Sequence, residues 1–385
     1  MAGLGLGSFD LYCDSMASRP KHEIIHEDLA RSIGDGTLVP GAQLPTEAVL
    51  VDTYKASRPT VTRVMQRLVL EGLVERRAGA GTFVRRAASA KLFGLLIPGL
   101  GETEIFEPIC GQMARDAQSH QHTLLWGDAT DRATTDAGTR AVALARDYVT
   151  RRVGGVFFAP LELTNDKEVI NAEVIEILDA AGIPVVLLDR DIVRHPQRSR
   201  HDLVAIDHRR AAHLLVSHLV DQGVKEISFV ARPLSAPSVV LRIAGYSDAL
   251  REAGIDPSPR DVHFGDPSDS EFVRCVLDTD KTRAIICGND ATAARLMHTL
   301  DELGVIVPDD IRVAGFDDVR YANLLRVPLT TIHQPCRAIG SAAVQAMVER
   351  LTNPGLPARD ILLDSRLVVR RSTMGRRDKA ASPRR

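Results

Sequence analysis

The sequence predicts an α/β chain in two parts: a small helical domain that ends in a basic hairpin, and a larger domain of parallel sheets. Three observations predict it. Residues 44–86 read as two capped helices followed by a glycine-tipped pair of basic strands. From Leu92 onward, short apolar runs alternate with helical stretches. The 385 residues are too many for one ordinary core, so two or three domains are expected.

Composition narrows the class. A charged fraction of 25% and a hydrophobic fraction of 44% are those of a soluble globular protein. No apolar run approaches the roughly 20 residues that span a bilayer. The first residues lack a basic stretch followed by an apolar one, so a secretory leader is not expected. Residues 1–18 read as a disordered tail, with Met16-Ala17-Ser18-Arg19 resembling a start. Cys13, Cys110, Cys275, Cys287 and Cys336 are scattered, odd in number and without CxxC spacing. They are expected to be reduced thiols of a cytoplasmic protein, with no metal site and no cofactor. The net charge is -2, yet Lys55 to Arg86 holds eight basic residues against Glu71 and Glu75. A local +6 suits contact with phosphates.

In the first domain, Ile25, Leu29 and Ile33 lie one helical turn apart, and Gly34-Asp35-Gly36 ends that helix. Thr46 is the expected N-cap of a second helix that begins at Glu47 and carries Val49 and Leu50. Ser57 is the expected cap of a third, where Pro59 falls in the first turn and displaces no helical hydrogen bond. Val61, Met65, Leu68 and Val69 are expected to face inward. That leaves Arg58, Thr60, Thr62, Arg63 and Arg67 outward and toward the helix start. Such a start enters a DNA major groove, where arginine pairs bidentately with guanine and threonine reaches phosphate or a thymine methyl. Gly72 closes the helix, and Leu73–Arg77 and Thr82–Arg86 flank Gly79-Ala80-Gly81 as two strands. Each element alone reads as a solvated charged segment; together, in this order, they read as a winged helix-turn-helix.

The match over residues 19–86 resembles the gluconate-repressor (GntR) family of bacterial regulators. The resemblance implies that Arg58, Thr60 and Arg63 contact DNA and that Gly81 lies at the wing tip. The full set expected at DNA is Thr46, Arg58, Thr60, Thr62, Arg63, Arg67, Gly79, Gly81 and Thr82. The family's arginine beside Leu44-Pro45-Thr46-Glu47 is replaced by Ala48.

Ala87-Ala88-Ser89-Ala90 reads as a linker. Beyond it, strands are expected at Leu92–Ile97, Thr123–Trp126, Gly155–Ala159, Val185–Asp189, Leu203–Ile206, Glu226–Ala231, Ala284–Cys287 and Ile311–Phe316. Helices are expected between them, among them Val169–Ala180, Arg209–Asp221, Val239–Ala253 and Ala291–Leu303. Near-continuous apolar strands are buried on both faces, and such folds bind ligands at the strands' carboxyl ends. The polar residues just past those ends are Glu162, Asp189-Arg190, Asn289-Asp290 and Asp317-Asp318, with Arg242 opening a helix. Carboxylates, an amide and a guanidinium suit a polyhydroxylated ligand, whose hydroxyls both donate and accept. Position alone leaves Asp290 equally a helix N-cap, Asp318 a turn residue and Asp189-Arg190 an internal ion pair.

Residues 91–372 resemble the two-lobed, periplasmic-binding-protein-like core of the lac/galactose repressor family. The resemblance rests on Pro233-Leu234-Ser235 with Arg242-Ile243-Ala244-Gly245-Tyr246, Cys287-Gly288-Asn289-Asp290, Val307-Pro308-Asp309-Asp310-Ile311, Val313-Ala314-Gly315-Phe316-Asp317-Asp318 and Pro328-Leu329-Thr330-Thr331-Ile332. It implies that Arg242, Asn289 and Asp317 bind an effector, with Glu162 a weaker carry-over. It also implies ligand-stacking aromatics, for which this chain offers Phe264 and Phe106. Head and core together resemble the arabinose-repressor type of regulator.

The resemblance implies a repressor that is released from double-stranded operator DNA by a small carbohydrate. It also implies a homodimer with no membrane association. The alternatives are a sugar-processing enzyme and a sugar receptor. No phosphate loop, GxSxG, HExxH or dinucleotide fingerprint is present, so an enzyme is not expected. Residues 373–385 read as a basic disordered tail.

Overall fold

The computed structural model describes residues 20–34, 37–39, 41–77, 79–84, 91–97, 104–126, 136–278 and 282–375. The tail 1–18 with Cys13, the linker 87–90, Arg85 and Arg86, and the stretch 376–385 lie outside the described residues. The chain divides into two compact units between residues 89 and 90.

The first unit holds α1 (Lys21–Gly34), α2 (Glu47–Tyr54), α3 (Arg58–Leu70), β1 (Val74–Arg77) and β2 (Gly81–Val84). The expected caps form: the Thr46 hydroxyl accepts from the Val49 amide, and the Ser57 hydroxyl from the Thr60 amide. Gly72, at φ 69°, ends α3 in a double-bonded turn, with Leu73 N–H donating to Leu68 O and Gly72 N–H to Val69 O. Val61, Val64, Met65 and Leu68 are buried in a core with Ile25, Leu29, Leu50, Val74 and Val84. Val69, expected inward, is 37% exposed instead. The helix buries positions i, i+3, i+4 and i+7 from Val61, and Val69 falls one step past that stripe. The strands pair antiparallel from Val74↔Val84 to Arg77↔Gly81, and Gln43 adds a bridge to Phe83.

The second unit contains two six-stranded sheets. Its first lobe is built from β3 (Leu92–Leu96), α4 (Phe106–Ser119), β4 (Thr123–Trp126), α5 (Ala137–Thr150), β5 (Gly155–Phe158), α6 (Lys167–Ala180), β6 (Val185–Leu188) and β7 (Asp202–Ile206). The chain then crosses to the second lobe with α7 (His208–Asp221), β8 (Ile227–Ala231), α8 (Pro237–Glu252), β9 (Val262–Phe264), α9 (Ser270–Asp278), β10 (Ala284–Cys287), α10 (Asp290–Glu302), β11 (Arg312–Asp317) and β12 (Thr330–His333). α11 (Cys336–Thr352) returns to pack on α4, β6 and β7 of the first lobe. β13 (Asp360–Leu363) joins the first sheet beside β7, and β14 (Arg366–Val368) joins the second beside β12. The first sheet is parallel throughout; the second is parallel except for β14.

Strand order reverses between β3 and β5 in one sheet and between β8 and β10 in the other. These switch points open crevices at the carboxyl ends of the strands. The core also reaches further than expected. The Ser372 hydroxyl donates to Val313 O, Thr373 is fully buried against Thr330, and a 3-10 turn spans Arg371–Thr373. Residues 373–375 therefore belong to the core and not to a basic tail.

Candidate functional site

On the first unit, Arg58 occupies the first position of α3 and Arg63 lies one and a half turns on; both are exposed. Neither has a hydrogen-bond or ion-pair partner among the described residues. The other candidates on α3 are engaged: Thr60 shares a hydrogen with Ser57, Thr62 donates to Glu47, and Arg67 pairs with Glu71 at 2.8 Å. Glu47 also accepts from Arg76, so it ties the start of α2 to both α3 and β1. Thr46, Gly79, Gly81 and Thr82 line one concavity together with Gln43, Arg76 and Arg77. Sequence reasoning left Gln43 and Arg77 out. Gln43 donates to Ala80 O at the hairpin tip, and the Arg77 guanidinium lies 4.6 Å over the Phe83 ring. Ala48 is exposed beside this face.

In the second unit, polar side chains gather where the carboxyl ends of the two sheets meet. Arg242 projects from α8 and is buried. Its Nη1 donates to Gly288 O, its Nε to His208 Nδ1 at 3.3 Å, and its Nη2 lies 3.5 Å from Asp317 Oδ1. Its guanidinium sits 4.6 Å over the Phe316 ring. Asp317 ends β11 at φ 114° and accepts from Gln334 Nε2 at 2.7 Å. Burial pushes the Asp317 pKa up to about 6, against the pull of Arg242 and Gln334. Asn289 is the N-cap of α10; its Oδ1 accepts from the Thr292 amide. Next to it, Asp290 accepts from the Thr331 hydroxyl and the Val319 amide, and burial with the facing Asp317 raises its pKa well above the ordinary value. Asp290 is thus held by the fold, and the Asn289 oxygen by its helix cap.

From the first lobe come Glu162, Asp189 and Arg190. Arg190 bonds Pro160 O at 2.7 Å and Asp189 at 2.9 Å, with Glu162 at 3.3 Å. The ion pair Asp189–Arg190 is therefore real and local. Burial acts to raise the Asp189 pKa, but the facing His208, Arg190 and Arg242 outweigh it and hold it low. Asp189 Oδ1 is a buried acceptor without a hydrogen-bond partner among the described residues. His208, at the crossing between the lobes, joins the two halves: Nε2 contacts Asp189 O at 3.0 Å and Nδ1 faces Arg242. Burial and the neighbouring Arg242 push its pKa down to about 4, so it is neutral at physiological pH. A neutral ring with hydrogen on Nε2 satisfies both contacts.

Arg242 and Asp317 come together with Glu162 and Asp189-Arg190 nearby, while the Asn289 side chain caps α10 one residue after Gly288, whose carbonyl Arg242 bonds. Phe106 is 1% exposed, with the Arg190 guanidinium 5.8 Å from its ring, so Arg190 covers the face it would offer a ligand. Phe264 is 56% exposed at the end of the edge strand β9, in register with Ala231. His208 and Gln334 were missed. Gln334 directly follows β12, and His208 lies two residues past β7.

Two family models match the chain: bacterial regulatory proteins of the gntR family over residues 21–84, and a periplasmic binding protein-like domain over residues 216–373. The chain is 31% identical over 215 residues to the HTH-type transcriptional repressor PurR of Vibrio atlanticus, covering 54% of this chain and 61% of that protein. It is 30% identical over 234 residues to the PurR repressor of Vibrio vulnificus, covering 58% and 67%. The chain thus spans about two thirds of the length of these relatives. Its fold is similar to that of a LacI family transcriptional regulator from Enterococcus faecium solved with bound ribose, with a TM-score of 0.58 at 21% identity over 73% of this chain and 98% of that one. Among the described residues, no helix is long and apolar enough to cross a membrane.

Proposed function

Because the chain belongs to the bacterial transcriptional repressors that join a helix-turn-helix head to a periplasmic-binding-protein-like core, we propose that it binds operator DNA and releases it when a small carbohydrate enters the cleft. It acts in the cytoplasm, as a regulator and not as an enzyme. One observation carries the reading. Arg242 and Asp317 face each other at 3.5 Å, with Asp189 and Glu162 of the first lobe close enough to act on Asp317, on the same chain as an exposed helix start bearing two arginines that have no partner among the described residues. The relatives' repressor function and the ribose in the similar structure support it. The proposed DNA contacts are Arg58, Arg63, Thr60, Thr62 and Arg67 on α3, with Thr46, Gly79, Gly81 and Thr82 around the wing. The proposed effector contacts are Arg242, Asn289, Asp317 and Glu162, with Phe264 as a flanking aromatic. A ligand alters DNA affinity only through its preference for one lobe arrangement. The reading is tested by selecting an operator from random duplexes, then screening pentoses, hexoses, sugar acids and purines for release of the complex.

The wing gives a separate prediction. Gly81 sits at φ 112°, and a Cβ there would come within 2.6 Å of Gln43 Nε2. Gly81→Val both strains the backbone and displaces the side chain that ties the hairpin tip. Operator affinity is expected to fall about tenfold or more, which is ~1.4 kcal/mol. Binding as tight as the parent's in a band-shift titration would remove the wing from the interface.

A homodimer is part of the proposal, because one winged head makes too few contacts for a typical specific affinity. A groove of about 420 Å³ on the second lobe, lined by Met297, Val305, Ile306, Val307 and Leu325, is the proposed face. Ile306 is 55% exposed there, and the neighbouring Leu324 is 79% exposed. Light scattering at micromolar concentration is expected to give twice the chain mass; a monomer with and without DNA contradicts it.

A further inference from the structure

At one corner of the cleft the two lobes are tied directly. After β5, the Leu163 amide donates to Leu234 O in the other lobe at 2.9 Å. Lys167, in the first turn of α6, sends Nζ across to Leu234 O at 2.5 Å and to Ser235 O at 2.8 Å. Glu162 Oε2 accepts from the Ala236 amide at 3.1 Å. Lys167 is only 7% exposed, an uncommon place for a lysine unless its charge is satisfied. Leu163 and Leu234 are both left-handed, at φ 62° and 59°, a conformation that disfavours any residue with a Cβ. Strain of that kind persists where surrounding contacts over-determine it, and here each strained leucine is one end of the same interlobe hydrogen bond.

The C-terminal side of this contact is the start of α8. Its N-cap, Ala236, has no side chain able to cap. Glu162 reaches the N-cap amide from the opposite lobe, as the third helical residue does within an ordinary capping box. The carboxylate also stands at the positive end of the helix. α8 carries Arg242, and its path against α7 is tight: a Cβ on Gly245 would overlap Arg209 O at 1.9 Å. A shift at the start of α8 therefore passes to Arg242 with little slack.

We propose that Glu162 and Lys167 form a closure latch that positions the start of α8, and through it Arg242, only when the lobes are shut. Lys167 is a positioning residue, and Glu162, also a proposed effector contact, holds the start of α8 from the opposite lobe. The latch stands on the interlobe geometry; its effect on effector response rests on the regulator reading. By holding a larger fraction of the chain in the competent arrangement, the latch strengthens apparent effector affinity by that fraction.

Hydrogen exchange of the full ligand-free chain tests it, comparing the parent with Lys167→Met, which keeps the apolar stem and removes the donors. Peptides carrying the Leu163 and Ala236 amides are expected to exchange about tenfold faster in the variant, with α10 peptides unchanged. Lys167→Arg, which keeps donors, is expected to stay slow. Unprotected amides in the parent, equal rates in Lys167→Met, or faster exchange throughout the core would each overturn the latch. D-ribose serves as the probe for the consequence, with an expected tenfold weaker affinity in Lys167→Met. Protected amides that respond to Lys167→Met, in a parent blind to ribose, would sink ribose as effector and leave the latch standing.

Discussion

Arg58→Ala is expected to lose specific operator binding while the core stays folded. Arg58 opens α3, is exposed, and spends none of its donors within the described residues. Its removal therefore leaves no buried group unpaired and no cap broken, because Ser57 supplies the cap. A bidentate arginine–guanine contact contributes about 1–3 kcal/mol of discrimination. Two heads on a two-fold operator double that to about 2–6 kcal/mol, enough to reduce binding toward the non-specific level, where phosphate contacts remain. Arg67→Ala, at a side chain already paired with Glu71, is expected to weaken binding less than Arg58→Ala. Fluorescence anisotropy at fixed salt checks both; an Arg58→Ala affinity equal to the parent's would remove α3 from the groove.

Arg242→Ala and Asp317→Ala are expected to weaken effector response at least tenfold with DNA binding intact. The two side chains face each other at 3.5 Å in a site nearly closed to water, so deleting either leaves buried partners unsatisfied, at about 1–3 kcal/mol each. The isosteric Asp317→Asn separates function from folding. The Asp317 carboxyl has a pKa of about 6 in the fold, against 3.8 ordinarily. The fold thus holds this proton more tightly than the unfolded chain does. That stabilisation is complete below about pH 4 and is lost as the pH rises through 6. At pH 7.5 Asp317→Asn is expected to raise the melting temperature while it blunts the response to effector. A lower melting temperature would mean that the ion pair with Arg242 outweighs the burial of the charge.

The head was legible because local signals decide it. Thr46, Ser57, Pro59 and Gly72 each act within four residues of themselves, and the structure uses each as a cap, first-turn residue or stop. Val69 was misjudged because a helical stripe has edges, and only packing says which edge residue is covered. In the core, apolar strands such as Val156–Phe158 announce themselves, but β12 does not. Its Thr330 and Thr331 are wholly buried because their hydroxyls bond Thr373 and Asp290, partners 43 and 41 residues away. β13 and β14 are missed for a related reason: they are short additions to sheets formed much earlier in the chain. The strand-end rule pointed to Asn289 and Asp317, and the resemblance added Arg242. It could not say that Asp290 serves the fold, that His208 joins the lobes, or that Arg190 covers Phe106, since those are facts of long-range packing.

The central claim is that the cleft between the lobes controls the hold on DNA. The most direct measurement titrates a carbohydrate panel into the preformed operator complex of the parent, Arg242→Ala and Asp317→Asn, following release by anisotropy. At least one sugar is expected to release the parent, and both variants, bound to DNA as tightly as the parent, are expected to need at least ten times more of it. Release of both variants at the parent's concentration would contradict it and place the effector elsewhere.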